Sequence, residues 1–246
     1  MSLPVFHLPA VADAAPGGSV EMTGDEARHA VVVRRIRIGE RVALTDGSGT
    51  TAVCTVTATT KSSLSACVEE LAVVAAETPR LVVVQAIPKG DRGELAVEML
   101  TEAGVDVVVP WAAARSVAVW RGERAAKSLA RWRSTAREAA KQSRRPWFPT
   151  VTELAATSDV VDLLRDAALS VVLHEASSTP LAALEVPVEG DVVVVVGPEG
   201  GISEDELAAF AAVGAAPLRL GTSVLRTSTA GVAAAAALLS RTPRWS

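Results

Sequence analysis

Val-Val-Val-Val-Val-Gly-Pro-Glu-Gly-Gly, residues 192–201, decides how this 246-residue chain is read. Five successive valines leave a strand no polar face, which suits a parallel strand covered on both sides by helices. In open α/β sheets, ligands bind beyond the carboxyl ends of the strands, where loop backbone is exposed. Gly197, Gly200 and Gly201 permit positive φ and let a ligand come close to main-chain N–H and C=O groups. Three glycines and a proline exceed what a tight turn needs. No Lys-Ser/Thr follows them, and their order is not G-x-G-x-x-G, so the stretch is neither a phosphate loop nor a dinucleotide-binding turn. Ser203-Glu204-Asp205-Glu206 then fits a capping box that opens a helix over 203–213.

The same strand–helix alternation extends on both sides. Residues 81–87, 105–109, 169–173 and 217–220 read as strands, and 91–103, 122–143, 159–168 and 229–239 as helices. In the first helix, Leu95, Met99 and Ala103 fall at helical spacing, and Gly104 stops it. Before residue 75 the pattern is different. Residues 42–45, 51–59 and 64–71 alternate β-branched and polar side chains, with Asp46-Gly47-Ser48-Gly49 as a hairpin signal between the first two. Thr23-Gly24-Asp25-Glu26 predicts a short helix, and Ala75-Ala76-Glu77-Thr78-Pro79 reads as a linker. The expectation is a small β domain over 1–74, a linker at 75–79 and an α/β domain over 80–246.

Composition sets bounds on function. The chain is 49% hydrophobic and 21% charged, which excludes a mostly disordered protein. Its longest uncharged stretches, such as 231–240, are too short for a membrane span. No basic segment followed by an apolar one opens it, so no signal peptide is expected. Cys54 and Cys67 are too few for a disulfide framework or a zinc site and are read as small core residues. A soluble, reduced, cytoplasmic protein without metal or membrane is the plain expectation.

The net charge of −4 is unevenly spread. Residues 28–41 hold five Arg against Glu40, and residues 115–145 hold ten Lys and Arg against Glu123 and Glu138. These two strips carry 15 of the 24 basic groups and leave an acidic remainder. Local potential steers a polyanion, so the strips point to RNA or DNA more than the total suggests. Trp111, Trp120, Trp132, Trp147 and Phe148 lie in or beside the second strip. They are read either as stacking platforms for bases or as the inward face of a basic helix.

Two further strand ends turn polar. Leu173-His174-Glu175-Ala176 ends one strand, and Leu218–Thr229 (LRLGTSVLRTST) places Gly221, hydroxyls and Arg226 before the final helix. Three such ends suggest one pocket built from three loops.

Gly197-Pro198-Glu199-Gly200-Gly201, followed by Leu220-Gly221-x-x-Val224-Leu225-Arg226-Thr227-x-Thr229-Ala230, resembles the SPOUT class of RNA methyltransferases. Within it, the chain is most similar to the ribosomal RNA small subunit methyltransferase E family. The resemblance extends over nearly the whole chain, through His29…Val33-Arg34, Lys89…Glu102-x-Gly104-Val105…Pro110 and Glu138-Ala139-Ala140-Lys141-Gln142-Ser143-x-Arg145. It implies a PUA-like β-barrel that helps hold RNA, then a SPOUT-type α/β domain tied in a trefoil knot, and a homodimer. The implied activity is S-adenosylmethionine-dependent methylation of uracil N3 at a specific uridine of 16S ribosomal RNA in the small ribosomal subunit. The alternatives are a non-catalytic RNA-binding or assembly factor that keeps the fold, and the same chemistry on another RNA.

On that resemblance, the cofactor falls to Leu173, His174, Glu175, Gly197, Pro198, Glu199, Gly200, Gly201, Leu220, Gly221, Val224, Leu225 and Arg226. Gly200→Val is accordingly expected to abolish cofactor binding. Ser228 stands where the family commonly has an acidic residue, so no role of that carboxylate carries over. Arg226 is assigned to stabilising the developing uracil anion, while the general base is left among Glu199, Glu175 and solvent. RNA contacts are expected from Arg28, Arg34, Arg35, Arg37, Arg137, Lys141, Arg144 and Arg145.

Overall fold

The computed structural model describes residues 3–245. The chain forms two compact units. The first comprises the chain through Ala76 together with Ala140–Phe148; the second comprises Glu77–Ala139 and the chain from Pro149 onward.

After β1 (Val5–His7), β2 (Ser19–Thr23), β3 (Arg41–Thr45), β4 (Thr50–Thr59) and β5 (Ser63–Val73) of the first unit, the second unit contains β6 (Arg80–Ala86), β7 (Val107–Trp111), β8 (Thr150–Val151), β9 (Leu169–Leu173), β10 (Asp191–Val196) and β11 (Ala216–Leu218). They form one parallel sheet in the order β11-β9-β10-β6-β7-β8. Alternate valines of β10 serve opposite layers, as expected of a strand with helices on both faces. Val192, Val194 and Val196 join a core with α2 (Arg92–Glu102), α3 (Glu123–Gln142) and α6 (Thr227–Leu239). Val193 and Val195 join a second core with α4 (Thr157–Asp166) and α5 (Glu204–Ala212). The helix after β6 and the helix after β10 thus lie on opposite faces, although the two strands are neighbours. A crevice opens between loops at such a reversal.

The expected helix forms as α2, and helical spacing alone did not say which of its faces is buried. Leu95 is exposed, and Gly93, Ala96, Val97 and Leu100 turn inward. Small residues decide the rotation. A Cβ on Gly93 would stand 2.7 Å from the Trp132 ring, and one on Gly231 of α6 would stand 3.2 Å from Leu100. At the amino end of the sheet, Arg244 donates to both carboxylate oxygens of Asp106, at 2.7 and 3.2 Å, and to the carbonyls of Pro79 and Gly104.

The first unit holds a five-stranded sheet in the order β1-β3-β4-β5-β2, built from β1 (Val5–His7), β2 (Ser19–Thr23), β3 (Arg41–Thr45), β4 (Thr50–Thr59) and β5 (Ser63–Val73). β4 alternates buried and half-buried residues along its first seven positions, the signature of a sheet with one face in the core. The expected short helix is α1 (Gly24–Arg28), continued by a π-helical turn over His29–Val33. Cys54 is buried and Cys67 half-buried, both as free thiols.

Segment 140–148 packs with this unit and not with the α/β unit that a boundary at residue 79 would assign it to. Two aromatics fit against glycines of the β3–β4 hairpin. A Cβ on Gly47 would meet the Phe148 ring at 2.7 Å, and one on Gly49 would meet Trp147 at 2.8 Å. The indole N–H of Trp147 also donates to the Val74 carbonyl at 2.8 Å. Lys141 is buried here, its Nζ donating to Oε1 and Oε2 of Glu26 at 2.9 and 3.1 Å.

Replacing Glu26 by Ala would take away the carboxylate to which the buried Lys141 ammonium and the His7 N–H donate. The expected loss, read by denaturant unfolding, is about 3 kcal/mol, and the pair Glu26→Leu with Lys141→Met should recover most of it. Burial pushes the Cys54 thiol up to about 11. Dithionitrobenzoate at pH 8 should therefore react with Cys67 and reach Cys54 only after unfolding.

Candidate active site

β9, β10 and β11 are adjacent and parallel, so their carboxyl ends open on the same edge of the sheet. The loops that follow them meet in one cleft of about 430 Å³. Leu173, His174 and Glu175 line it from the first loop, Gly197, Pro198, Glu199 and Gly201 from the second, and Leu220, Gly221, Val224, Leu225 and Arg226 from the third. Three separated stretches of sequence are thereby assembled at a single site.

Backbone bonding sets the outer loops. The His174 N–H donates to the Leu218 carbonyl at 2.9 Å, the Arg219 N–H to Thr179 at 2.8 Å, and the Leu181 N–H to Arg219 at 2.9 Å. The third loop runs straight into α6, with Arg226 as the helix N-cap residue. Gln85, wholly buried at the end of β6, donates from Nε2 to the Thr227 carbonyl at 3.3 Å and so ties the start of α6 to the sheet. Its Oε1 has no hydrogen-bond partner among the described residues.

Gly200 does not line the cleft. A Cβ there would come within 2.7 Å of the Arg115 carbonyl oxygen. The glycine is needed for the approach of residue 115 behind the loop, and Gly200→Val would act by displacing that segment. Gly197 and Gly201 stay on the cleft side, with Gly201 at φ +73°.

Glu206 is what holds these two segments. It is buried, and its Oε2 accepts from the Ser203 N–H at 2.9 Å and the Ser203 hydroxyl at 2.8 Å, while the Ser203 hydroxyl accepts from the Glu206 N–H. This is the expected capping box. Its Oε1 faces away and accepts from the Ala114 N–H at 2.8 Å and the Thr157 hydroxyl at 3.3 Å. One carboxylate therefore ties together the start of α5, the turn after β7 and the start of α4. The second function was not legible in the capping pattern, because residue 114 is remote in sequence.

Glu199 bridges the crevice between β10 and β6. Its Oε1 accepts from the Lys89 N–H at 3.3 Å and lies 3.7 Å from the Arg92 guanidinium. Arg219, Thr222 and Ser223 line the cleft from the 218–229 stretch that the sequence singled out, and Arg92 lines it too and was missed. Arg92 follows the β6 loop, which lacks the glycine signal that marked the others. Ser228 is buried in the first turn of α6 and is not among the cleft-lining residues.

The aromatics of the second basic strip divide toward the structural reading. Trp111 and Trp132 are buried, Trp120 packs edge-on against Trp132 at 5.0 Å, and Trp147 and Phe148 cover the hairpin glycines. Of the expected RNA contacts, Lys141 is withdrawn, since its ammonium is buried against Glu26. Arg28, Arg34, Arg35, Arg37, Arg137 and Arg144 are exposed and Arg145 is half-buried. Arg35 (φ +57°) and Arg144 (φ +58°) are the non-glycine residues of positive φ among those described.

An α/β/α unit with a ligand cleft at its strand ends, preceded by a small β unit, is matched by family models that give the class, RNA methyltransferase. A family model described as RNA methyltransferase domain matches residues 76–239, and one described as RNA methyltransferase PUA domain matches residues 22–67. Ribosomal RNA small subunit methyltransferase E of Mycobacterium tuberculosis is 44% identical over 93% of this chain and 89% of its own length. The Bacillus subtilis protein of the same name is 31% identical over 88% of each. The crystal structure of the Neisseria gonorrhoeae enzyme of that name, bound to S-adenosylmethionine, superposes with a TM-score of 0.86 at 28% identity, covering 97% of this chain and 98% of that one. The chain belongs to the ribosomal RNA small subunit methyltransferase E family.

Glu206→Gln keeps the shape of the side chain but turns one acceptor into a donor facing donors. Urea unfolding should show a loss of about 2 kcal/mol, with Glu206→Ala losing about 3.

Proposed function

We propose that this chain methylates N3 of a uridine in 16S ribosomal RNA of the small subunit, using S-adenosylmethionine. The observation that carries the reading is the convergence of the three loops, with Arg226 on their rim, in a cleft of about 430 Å³. That volume suits a small-molecule cofactor. Its lining matches the chemistry of this one. Main chain exposed at Gly197, Gly201 and Gly221 and the apolar Leu220, Leu225 and Ile202 suit adenine and ribose. Arg92 and Arg219 offer cations for a carboxylate.

When bound, the cofactor supplies an electrophilic methyl group; the chain's own residues must prepare the acceptor. The N3 lone pair of uracil becomes available as the imide proton leaves, and negative charge then spreads to the flanking carbonyl oxygens. Arg226, exposed at the cleft with no ion pair among the described residues, is placed to meet that charge with a guanidinium. Glu199 is already committed to Arg92 and the Lys89 N–H. Glu175 carries no such commitment and is the better placed of the two carboxylates to take the proton.

The finer architecture belongs to the same proposal. The first unit closes as a PUA-like barrel that grips RNA through Arg28, Arg34, Arg35, Arg37, Arg144 and Arg145, and Arg137 adds to the grip from α3. The second unit is tied in a trefoil knot. Supporting this, the third loop is bonded beside 179–181 and then enters α6, which packs on β6, β10 and α2. The working form is a cytoplasmic homodimer.

Calorimetry with S-adenosylmethionine, followed by mapping of the labelled product on 30S subunits, tests the reading. Binding with label at uracil N3 supports it; absence of binding at millimolar cofactor, or label found only in tRNA, refutes it. Arg226→Ala should lower kcat about 100-fold. Glu175→Gln should lower activity most at neutral pH and recover as the imide ionises by itself; an unaltered pH profile would move the base elsewhere. Arg34→Ala with Arg35→Ala should weaken RNA binding and flatten its salt dependence.

A further inference from the structure

The chain leaving α1 in the first unit exposes aliphatic side chains where a soluble protein would be expected to hide them. Val32, Val33 and Ile38 are 49%, 64% and 64% exposed. They alternate with Arg34, Arg35 and Arg37, all exposed. Residues 32–38 hold no acid, and Glu40, just beyond them, turns its carboxylate back to the Arg37 N–H at 3.1 Å.

The turn that presents them is pinned from beneath. Arg34 N–H donates to His29 at 2.9 Å, Ile36 N–H to Ala30 at 3.1 Å, and the Ile36 side chain is buried. Arg35 sits between them at φ +57°. That is the left-handed position which glycine fills with least strain at a helix end. The sequence keeps an arginine there despite the cost, a pattern associated with functional segments.

We propose that residues 32–38 form an aliphatic–arginine knob that docks on RNA. Val33 and Ile38 lie against ribose and unstacked base faces, while Arg34, Arg35 and Arg37 pair the flanking phosphates. This rests on the RNA reading above and adds the way the partner is recognised. Charge selects the occupant: a second copy docking symmetrically would press arginines against identical arginines, whereas a polyanion neutralises them. Shape agrees, since the wide minor groove and splayed loops of RNA offer sugar and base surface to short side chains.

The two kinds of contact differ in salt dependence. Phosphate pairing releases counterions, and apolar burial does not. Val33→Ser with Ile38→Ser should weaken binding to transcribed 16S ribosomal RNA about tenfold at every salt concentration, leaving the log–log slope unchanged. Arg35→Gly should reduce the slope by about one without lowering the melting temperature. Unchanged affinity in the serine variant overturns the knob, as does a change confined to its sedimentation, which would mean that these side chains meet another copy. Wild-type protein that neither binds nor methylates the RNA overturns the RNA reading itself. Loss in the serine variant against a normal wild type supports the knob.

Discussion

The carboxylate of Glu206 is the interaction on which the ligand end of the α/β unit depends. It is buried, it makes no ion pair among the described residues, and its charge is met by two backbone N–H groups and two hydroxyls. Such an arrangement tolerates little change, because each donor would otherwise be left unpaired inside the protein. One oxygen sets where α5 begins, and therefore the exit of the glycine loop. The other holds Ala114, next to the Arg115 carbonyl that lies against Gly200. The loop is shaped from both its downstream end and its back, leaving Gly197 and Gly201 to face the cleft. The proposed main-chain grip on a cofactor would need such a frame, since backbone groups cannot adjust by changing rotamer.

Whatever depended on periodicity within one element was legible in the sequence; whatever depended on which element came to lie opposite was not. The valine run of β10, the capping box and the three polar strand ends were all visible, because each is written in a few consecutive residues. The helix α2 was legible, but its inward face was not. Leu95 and Met99 had the right spacing, but the bulk of Trp132 demanded glycine opposite it, and that turned Gly93, Ala96 and Leu100 inward. Arg92 escaped notice for a related reason: its loop joins the cleft through Glu199, across the reversal between β6 and β10. Gly200 carried the correct signal of close approach but with the wrong neighbour.

The basic strips show the same limit. Ten cations over 115–145 looked like one surface, yet their environments divide them. Lys141 is consumed internally by Glu26, Arg131 faces Glu94 at 3.2 Å, and Arg133 faces Glu153 at 2.8 Å. The tryptophans that suggested stacking platforms fill cores or cover hairpin glycines. Counting charge could not make this division, because it depends on the pairs formed inside the protein.

Arg35 and Arg144 make that remainder more specific. Arg144 follows α3 in a Schellman arrangement, its own N–H donating to Lys141 and the next residue's to Ala140, at 3.2 and 2.9 Å. Glycine would fill this position, and that of Arg35, without the penalty of a Cβ in left-handed conformation. Both exceptions are arginines, both belong to the first unit, and each stands at the end of a helix whose last carbonyls attract cations. A purely structural role favours glycine at both. Retaining guanidinium there trades local backbone ease for charge at two fixed, outward points, the compromise expected where a protein must hold a phosphate backbone and still fold.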